Sequence, residues 1–317
     1  MAELQVVSAG LQTSVQGAPR TGLRHLGIGS GGAADPLALA LANALVGNRP
    51  DTAALEITLT GPTLAFDTPV EIALCGAPAT MQLDDGTPLP CHRPLRLPAG
   101  AVLRIGSCRD GARSYLAIGG GLALAPVLGS PATDLRGGFG GHLGRALQAG
   151  DRLPLAATVH RANSLQIARW WVDGHPARPA STPVIDLLPG EDDVAALLAH
   201  AWHIDSRSNR QGLRLAGPPL ALDAPAERVS EPVAPGTVQL PPGGAPIILL
   251  CDAQTHGGYP RIGHVTSAAL PLLGQLRPGA ALRFAACTPE HALQARRQQR
   301  QQLYRQLRAI AERRAAR

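Results

Sequence analysis

The sequence of 317 residues contains no lysine, so all 29 residues counted as lysine plus arginine are arginines. This absence excludes a lysine Schiff base and a phosphate-binding loop of the Walker type, because both need the amine. It also excludes a lysine that carries biotin, lipoate or pyridoxal phosphate. We therefore predict no covalently bound cofactor, and any such group would have to arrive on another protein.

Aromatic residues make up only 3% of the chain, and the five cysteines are an odd number spread widely along it. No two cysteines form a C-x-x-C pair, which argues against a disulfide framework or a structural zinc site. His200 and His203 lie three residues apart, but no further metal-ligating residue stands beside them in the sequence. We predict no metal site.

Excess charge is absent from most of the chain, although the formal net charge is +6. Residues 291–317 hold eight of the arginines and a single acid, which leaves the preceding residues close to neutral. Leu293, Leu303, Leu307 and Ile310 follow one helical face there, so we predict a basic C-terminal helix or tail. A neutral body argues against nucleic-acid binding.

Long apolar runs suited to a membrane are also missing. Residues 114–133 carry no charge, but glycines and prolines interrupt them, which indicates a buried strand and a turn. Residues 1–5 show no charged segment that leads into an apolar one. We expect a cytoplasmic protein without a membrane span.

Internal repeats indicate a duplicated chain. Residues 57–67 match residues 213–223, and two further matches follow in the same order, 69–75 with 246–251 and 97–105 with 276–284. Each match is a short apolar run with glycine or proline near its edge, which is typical of strands and turns. We predict a mostly β protein with a few helices, built of two tandem barrel-like lobes. The predicted bounds are 1–160 for the first lobe, 161–183 for a linker, 184–290 for the second lobe and 291–317 for the helix or tail.

One helix candidate precedes each copy of the first repeat. The first runs to Leu45, with Asp35 as N-cap and Pro36 at the first helical position. The second covers residues 191–200. We expect each lobe to hold many strands and one helix.

A polar cluster follows the apolar strand predicted at 247–250. The scaffold would hold these side chains at the mouth of a pocket, while the glycines let backbone N–H groups approach a ligand. Asp252 would act as a base or hold a substrate N–H, Gln254 would present its amide, and Arg261 would stabilise oxyanion charge. The alternative is an ordinary turn with solvated side chains. The cluster consists of Asp252, Gln254, Thr255, Gly257, Gly258, Tyr259 and Arg261.

A second candidate is the glycine-rich loop 136–141, which begins at Arg136 and continues through Gly137, Gly138 and Phe139. Four glycines around Phe139 would let backbone amides cradle an anion, with Arg136 as the counter-charge. Its spacing differs from the dinucleotide-binding fingerprint. The alternative is a flexible surface loop.

Many spaced motifs in a fixed order resemble the biotin-dependent carboxyltransferase family, which includes the C subunit of bacterial 5-oxoprolinase. The resemblance spans about residues 4–288. The motifs that carry it lie at residues 11–16, 20–27, 33–36, 42–48, 55–62, 136–141, 150–151, 208–214 and 252–260.

This resemblance implies that the chain has two cyclophilin-like β-barrel lobes and that it functions in a complex with other subunits. With a homologue of the 5-oxoprolinase B subunit, and with the A subunit, the chain would couple ATP hydrolysis to the opening of 5-oxo-L-proline to L-glutamate. It would be inactive alone. One alternative is a carboxyltransferase that moves carboxyl from carboxybiotin, on a separate carrier, to urea or another amide. Another is a non-catalytic regulatory partner of a B-subunit homologue.

We expect catalytic residues in the first cluster and substrate contacts in both clusters. Asp252, Gln254, Tyr259 and Arg261 would line the pocket of a small amide substrate, with the loop that starts at Arg136 on its other wall. Some relatives have lysine where Arg261 stands. Arginine keeps the positive charge but does not exchange a proton near neutral pH.

Overall fold

A computed structural model describes residues 2–156, 162–190, 194–221 and 229–316. The chain divides into two compact units. The first unit comprises Met1–Arg20, Asp35–Arg178 and Leu303–Arg317, and the second comprises Thr21–Ala34 and Pro179–Gln302. Each unit therefore takes in segments that lie far apart in the sequence. The lobe and linker bounds inferred from the sequence stay a prediction.

The first unit is built of antiparallel strands. Their bounds are β1 Glu3–Ser8, β2 Gln12–Gln16, β3 Ala54–Thr58, β4 Thr63–Phe66, β5 Val70–Gly76, β6 Ala79–Leu83, β7 Pro88–Leu89, β8 Leu95–Leu97, β9 Val102–Cys108, β10 Arg113–Ile118, β11 Arg152–Pro154 and β12 Gln166–Ile167. They form two six-stranded sheets, ordered β11-β1-β4-β9-β6-β7 and β12-β8-β5-β10-β3-β2.

Both sheets of the first unit are open, whereas the sequence predicts a closed barrel there. Three of the four edge strands, β7, β11 and β12, hold only two or three residues. In the described residues each of these edge strands pairs with one neighbour only, so its outer edge stays unpaired and the sheets stay open. The prediction of a mostly β chain is confirmed.

Helix α1 of the first unit, Pro36–Leu45, begins as predicted. The Asp35 carboxylate accepts hydrogen bonds from the backbone N–H groups of Leu37 and Ala38, both at 3.1 Å. Pro36 at the first helical position loses no hydrogen bond, since that N–H would have no helical partner. The N-cap and the proline thus start the helix where the sequence indicates.

The second unit holds a closed seven-stranded barrel, as predicted for the second lobe. Its strands are β13 Val184–Pro189, β14 Trp202–Ile204, β15 Gly212–Ala216, β17 Thr237–Gln239, β18 Ile247–Leu249, β20 Arg261–Val265 and β21 Ala281–Ala286. The order is β13-β20-β17-β18-β15-β14-β21, and a parallel pairing of β13 with β21 closes the ring. A short ribbon pairs β16, Glu231–Pro232, with β19, His256–Gly257.

Apolar side chains that alternate along these strands fill the barrel. Ile185, Trp202, Val238 and Ile248 are completely buried there. The alternation follows from the two-residue period of a strand, which points every second side chain inward. The outward positions are left for polar residues, including those of the candidate site.

Besides α1, the described part of the chain contains four further helical segments. A 3₁₀ turn covers Arg24–Leu26, and the α-helices are α2 Ala195–Ala199, α3 Leu270–Gln275 and α4 Pro289–Ala315. Helix α2 is shorter than the predicted 191–200, whose first three residues lie outside the described residues.

Helix α4 confirms the predicted C-terminal helix. Of the predicted apolar face, Ile310 is buried and Leu293 is half exposed. Within the first unit, Arg314 donates to the carboxylate of the buried Glu71 at 3.0 Å. Among the described residues, no helix combines the length and the apolar character that crossing a membrane requires.

Candidate functional site

The polar cluster lies in the second unit, directly after β18. The backbone N–H of Leu250 donates to the carbonyl of Gln211, and that of Asp252 donates to the carbonyl of Arg210, at 2.9 and 3.0 Å. These bonds tie the start of the cluster to the segment before β15. The rigid barrel strands therefore position the loop that carries the predicted site residues.

Asp252 is engaged in a buried ion pair with Arg210. Arg210 Nε and Nη2 donate to Asp252 Oδ2 and Oδ1 at 2.7 and 2.9 Å, and both side chains are at most 5% exposed. Nη2 also donates to the Gly32 carbonyl at 2.6 Å. Because both carboxylate oxygens accept from the guanidinium, proton abstraction by Asp252 would require this pair to open. The geometry gives Asp252 a positioning role, and its predicted catalytic role stays a prediction.

Gln254 and Tyr259 line one pocket of about 180 Å³. Gln254 Nε2 donates to Gln239 Oε1 at 3.3 Å, which joins the loop to strand β17. Carboxamides, a phenol and a guanidinium surround this space, so it suits a small polar molecule with carbonyl or carboxylate oxygens. The lining residues are Asn209, Gln211, Gly212, Arg214, Gln239, Ile247, Leu249, Gln254 and Tyr259. We call this space the carboxamide pocket.

Arg261 lies at a different pocket, of about 260 Å³. Its guanidinium pairs with Glu231, and both side chains are about half exposed. His264 lines the same pocket, and its Nδ1 lies 3.4 Å from Thr237 Oγ1. Burial lowers the pKa of His264, so the imidazole is neutral at pH 7 and able to accept a proton. We call this space the Arg261 pocket, and its lining residues are Leu188, Pro189, Gly190, Thr237, Arg261, Gly263 and His264.

The remaining predicted residues of the cluster shape the loop. The Thr255 carbonyl accepts from the Val233 backbone N–H at 2.9 Å, and Thr255 Oγ1 lies 2.9 Å from His256 Nδ1. Gly257 lies in β19, where a Cβ atom would come within 2.5 Å of Gln239 Nε2. Glycine at 257 therefore leaves room for the Gln239 side chain to pack closely against the loop.

Residues 24–31 support the same loop. Arg24 Nη2 donates to the Gln254 carbonyl at 3.3 Å and also to the Val233 carbonyl. The Gly31 N–H donates to the Cys251 carbonyl at 3.0 Å. Sequence reasoning does not reveal these contacts, because more than two hundred positions separate the partners and no local pattern links them.

The second candidate loop, which starts at Arg136, lies in the first unit. The backbone N–H groups of Arg136 and Gly137 donate to Asp134 Oδ1 at 3.1 and 2.8 Å, and that of Gly138 donates to the Asp134 carbonyl at 2.9 Å. Arg20 stacks over the ring of Phe139 at 4.6 Å. The Phe139 N–H also donates to the Asp134 carbonyl, at 3.4 Å, so Asp134 takes up four of the amides predicted to cradle an anion. The Arg136 side chain is exposed, and its role in substrate binding stays a prediction.

The structure brings together only part of the predicted site. Gln254 and Tyr259 share the carboxamide pocket, Arg261 lines the Arg261 pocket, and Asp252 is held in its ion pair. The loop of Arg136 belongs to the other unit, so a shared pocket for both clusters stays a prediction. In the described part of the chain, no group of three His, Cys, Asp or Glu side chains could hold a metal ion.

Comparison with known proteins decides the family. The carboxyltransferase domain family, subdomains A and B, matches residues 26–286. The chain belongs to this carboxyltransferase family. This finding confirms the resemblance carried by the spaced motifs, which run through most of the same range.

Two relatives match this carboxyltransferase chain along nearly their whole length. It is 40% identical over 299 residues to the 5-oxoprolinase C subunit of Escherichia coli (strain K12), covering 93% of this chain and 95% of that protein. It is 36% identical over 301 residues to the 5-oxoprolinase C subunit of Haemophilus influenzae (strain ATCC 51907 / DSM 11121 / KW20 / Rd), covering 93% and 94%.

The carboxyltransferase fold is also present in a larger solved structure. The crystal structure of the K. lactis urea amidolyase matches with a TM-score of 0.85 and 29% identity. The match covers 97% of this chain but only 20% of the urea amidolyase chain. The rest of that protein therefore has no counterpart in this chain.

Proposed function

We propose that this carboxyltransferase chain is the C subunit of a cytoplasmic, ATP-dependent 5-oxoprolinase that opens 5-oxo-L-proline to L-glutamate. It acts together with homologues of the 5-oxoprolinase A and B subunits. The chain alone is inactive. The full-length similarity to two 5-oxoprolinase C subunits supports this role. The observation that carries it is the carboxamide pocket, whose donors match a small amide with a carbonyl oxygen.

In this proposal one pocket binds the substrate and the other supplies groups for catalysis. Gln254 and Tyr259 hold the amide substrate by hydrogen bonds in the carboxamide pocket. Arg261 is the register partner of Gln239 on the adjacent strand, and it supplies positive charge for the oxyanion that develops when the carbonyl is attacked. Neutral His264 beside Thr237 offers a proton acceptor at the Arg261 pocket. Asp252 keeps Arg210 and the loop in place, and Arg136, Gly137, Gly138 and Phe139 supply a second set of substrate contacts.

Reconstitution of the complex tests this function. The chain is co-expressed with homologues of the other two 5-oxoprolinase subunits, and L-glutamate and ADP formed from 5-oxo-L-proline are measured. We expect both products in equal amounts from the complex and neither from the chain alone. Stable assembly without turnover of 5-oxo-L-proline would contradict the proposal and favour a regulatory partner.

The urea amidolyase match favours a second candidate function. In that role the chain would transfer carboxyl from carboxybiotin, on a separate carrier, to urea or another amide. The absence of lysine from this chain means that the biotin must be attached elsewhere. Carboxylation of urea by the chain, its B-subunit homologue and a carboxybiotin-loaded carrier would support this candidate over the first.

We also propose that both units descend from one duplicated cyclophilin-like lobe. The ordered sequence repeats and the closed barrel of the second unit support this origin. Superposition of the two units in an experimental structure tests it. Matching strand order through the repeated segments is expected, and unrelated strand order would contradict it.

A further inference from the structure

We propose that Arg214 binds a carboxylate group of the substrate, so that the carboxamide pocket selects small amides that carry a carboxylate over neutral ones. The inference rests on the proposed function for the identity of the amide. It adds a specificity residue outside the cluster 252–261. It also separates the two candidate substrates, since 5-oxo-L-proline has a carboxylate and urea has none.

Strand β15 aims Arg214 away from the barrel core. Leu213 and Leu215, its neighbours along the strand, are buried in the core at 2% and 1% exposure. The two-residue period of the strand therefore turns Arg214 outward, to the wall of the carboxamide pocket.

The Arg214 guanidinium makes no hydrogen bond or ion pair with any other side chain in the described residues. The neighbouring acid, Asp205, is already bound at both carboxylate oxygens by Arg207, at 2.9 and 2.7 Å. Arg207 is the main cause of the lowered pKa of Asp205, and the charge of Arg214 contributes least. Among the described lining residues, no acidic side chain competes for Arg214. When no other side chain is hydrogen-bonded to an arginine at a pocket wall, its planar guanidinium is available to bind a carboxylate at two points.

The rest of the pocket supplies donors for the other end of such a molecule. Gln239 is 2% exposed, its Oε1 accepts from Gln254, and its Nε2 has no hydrogen-bond partner. A buried donor left unpaired destabilises the protein, so a ligand oxygen that reaches it is favoured. Asn209 Oδ1 accepts from the Gln211 backbone N–H at 2.8 Å, which leaves its amide NH₂ group to donate.

Binding measurements with matched ligands test the inference. The full chain and the reconstituted complex are titrated calorimetrically with 5-oxo-L-proline, with 2-pyrrolidone, which is the same lactam without its carboxylate, and with urea. We expect Arg214→Gln to weaken 5-oxo-L-proline binding about 10- to 100-fold and to leave 2-pyrrolidone binding unchanged. In turnover, the variant should raise KM far more than it lowers kcat.

Arg283→Gln is the matched control, because Arg283 is an exposed arginine on strand β21 of the same barrel and lines neither pocket. It should bind all three ligands as the wild type does. Wild-type affinity of Arg214→Gln for 5-oxo-L-proline would overturn the inference. Equal wild-type affinity for the lactams with and without the carboxylate would overturn it as well.

The two proposals fail in different ways. If the complex makes glutamate but Arg214→Gln keeps the wild-type KM, only the role of Arg214 is wrong. If 5-oxo-L-proline binds through Arg214 but the complex makes no glutamate, only the proposed function is wrong. If neither the chain nor the complex binds the carboxylated lactam, both are wrong.

Discussion

Asp252 and Arg210 form a two-point ion pair that is almost completely buried. Removing one partner leaves the other charge buried without compensation, so Asp252→Ala should lower the free energy of unfolding by about 3 kcal/mol. Arg210→Ala should do the same. Urea denaturation of each single variant and of the double variant measures the coupling, and we expect the double variant to lose much less than the sum. Additive losses would show that the pair does not act as a unit.

Gly257 is expected to matter for binding more than for stability. In Gly257→Ala the new Cβ atom would meet Gln239 Nε2 at 2.5 Å and push the amide from its place. Because a flexible side-chain end can move, the stability loss should be only about 1 kcal/mol, while affinity for 5-oxo-L-proline falls. Gly243→Ala is the control, since no atom lies within 4 Å of the position that its methyl group would take. Equal effects of both substitutions on affinity would contradict this packing role.

Arg261 should contribute to catalysis and little to stability. Its ion pair with Glu231 is half exposed on both sides, and such pairs contribute only about 0–1 kcal/mol. Arg261→Gln should therefore melt close to the wild type while kcat of the complex falls about 10²- to 10³-fold. Arg261→Lys, which retains the charge, should recover part of the rate. The control Glu231→Gln should leave kcat near the wild-type value, and a full rate in Arg261→Gln would remove Arg261 from the site.

Stability of the first unit should decline at acidic pH because its environment disfavours the charged form of two histidines. Burial lowers the pKa of His92 and the pKa of His175 below the usual value of about 6.5. Well above pH 6.5 both side chains are neutral whether the chain is folded or unfolded. As the pH falls below about 6.5, the unfolded chain binds protons first, so stability is lost until the folded histidines also titrate.

Urea denaturation between about pH 8 and about pH 5 measures this decline. The double variant His92→Gln and His175→Gln should show a shallower decline than the wild type over the same range. The control His203→Gln replaces an exposed histidine of β14 and should keep the wild-type slope. An unchanged slope in the double variant would assign the pH dependence to other groups.

Local signals predict the parts of the fold that depend on neighbours in sequence. Asp35 and Pro36 mark the start of α1, because capping needs only the first turn of the helix. The apolar runs mark strands, and the residues after Leu250 mark a polar loop. Barrel closure in the second unit depends on the pairing of Val184–Leu187 with Arg283–Ala286, which no local pattern specifies. The first unit, with equally clear strand signals, keeps two open sheets.

Some residues of the candidate site can also be recognised from local sequence, and others only from the fold. The sequence alone singles out Gln254 and Tyr259 by their place after a buried strand. Arg214 belongs to the family motif at 208–214, but the motif alone does not assign its side chain to a pocket. Gln239 follows Thr237 and Val238 in a short strand and lies in no motif.

Amino-acid composition limits the chemistry available to this protein. Without lysine it has no side-chain amine for a Schiff base or a biotin linkage, and its arginine-rich helix leaves a neutral body. Which polar groups pair with each other, and which face a pocket, follows from the folded structure. Folding set Arg210 against Asp252, and it left Arg214 facing the carboxamide pocket. The reason is that hydrogen bonds and ion pairs act over a few ångströms, so they depend on distances that strand pairing creates between residues far apart in the chain.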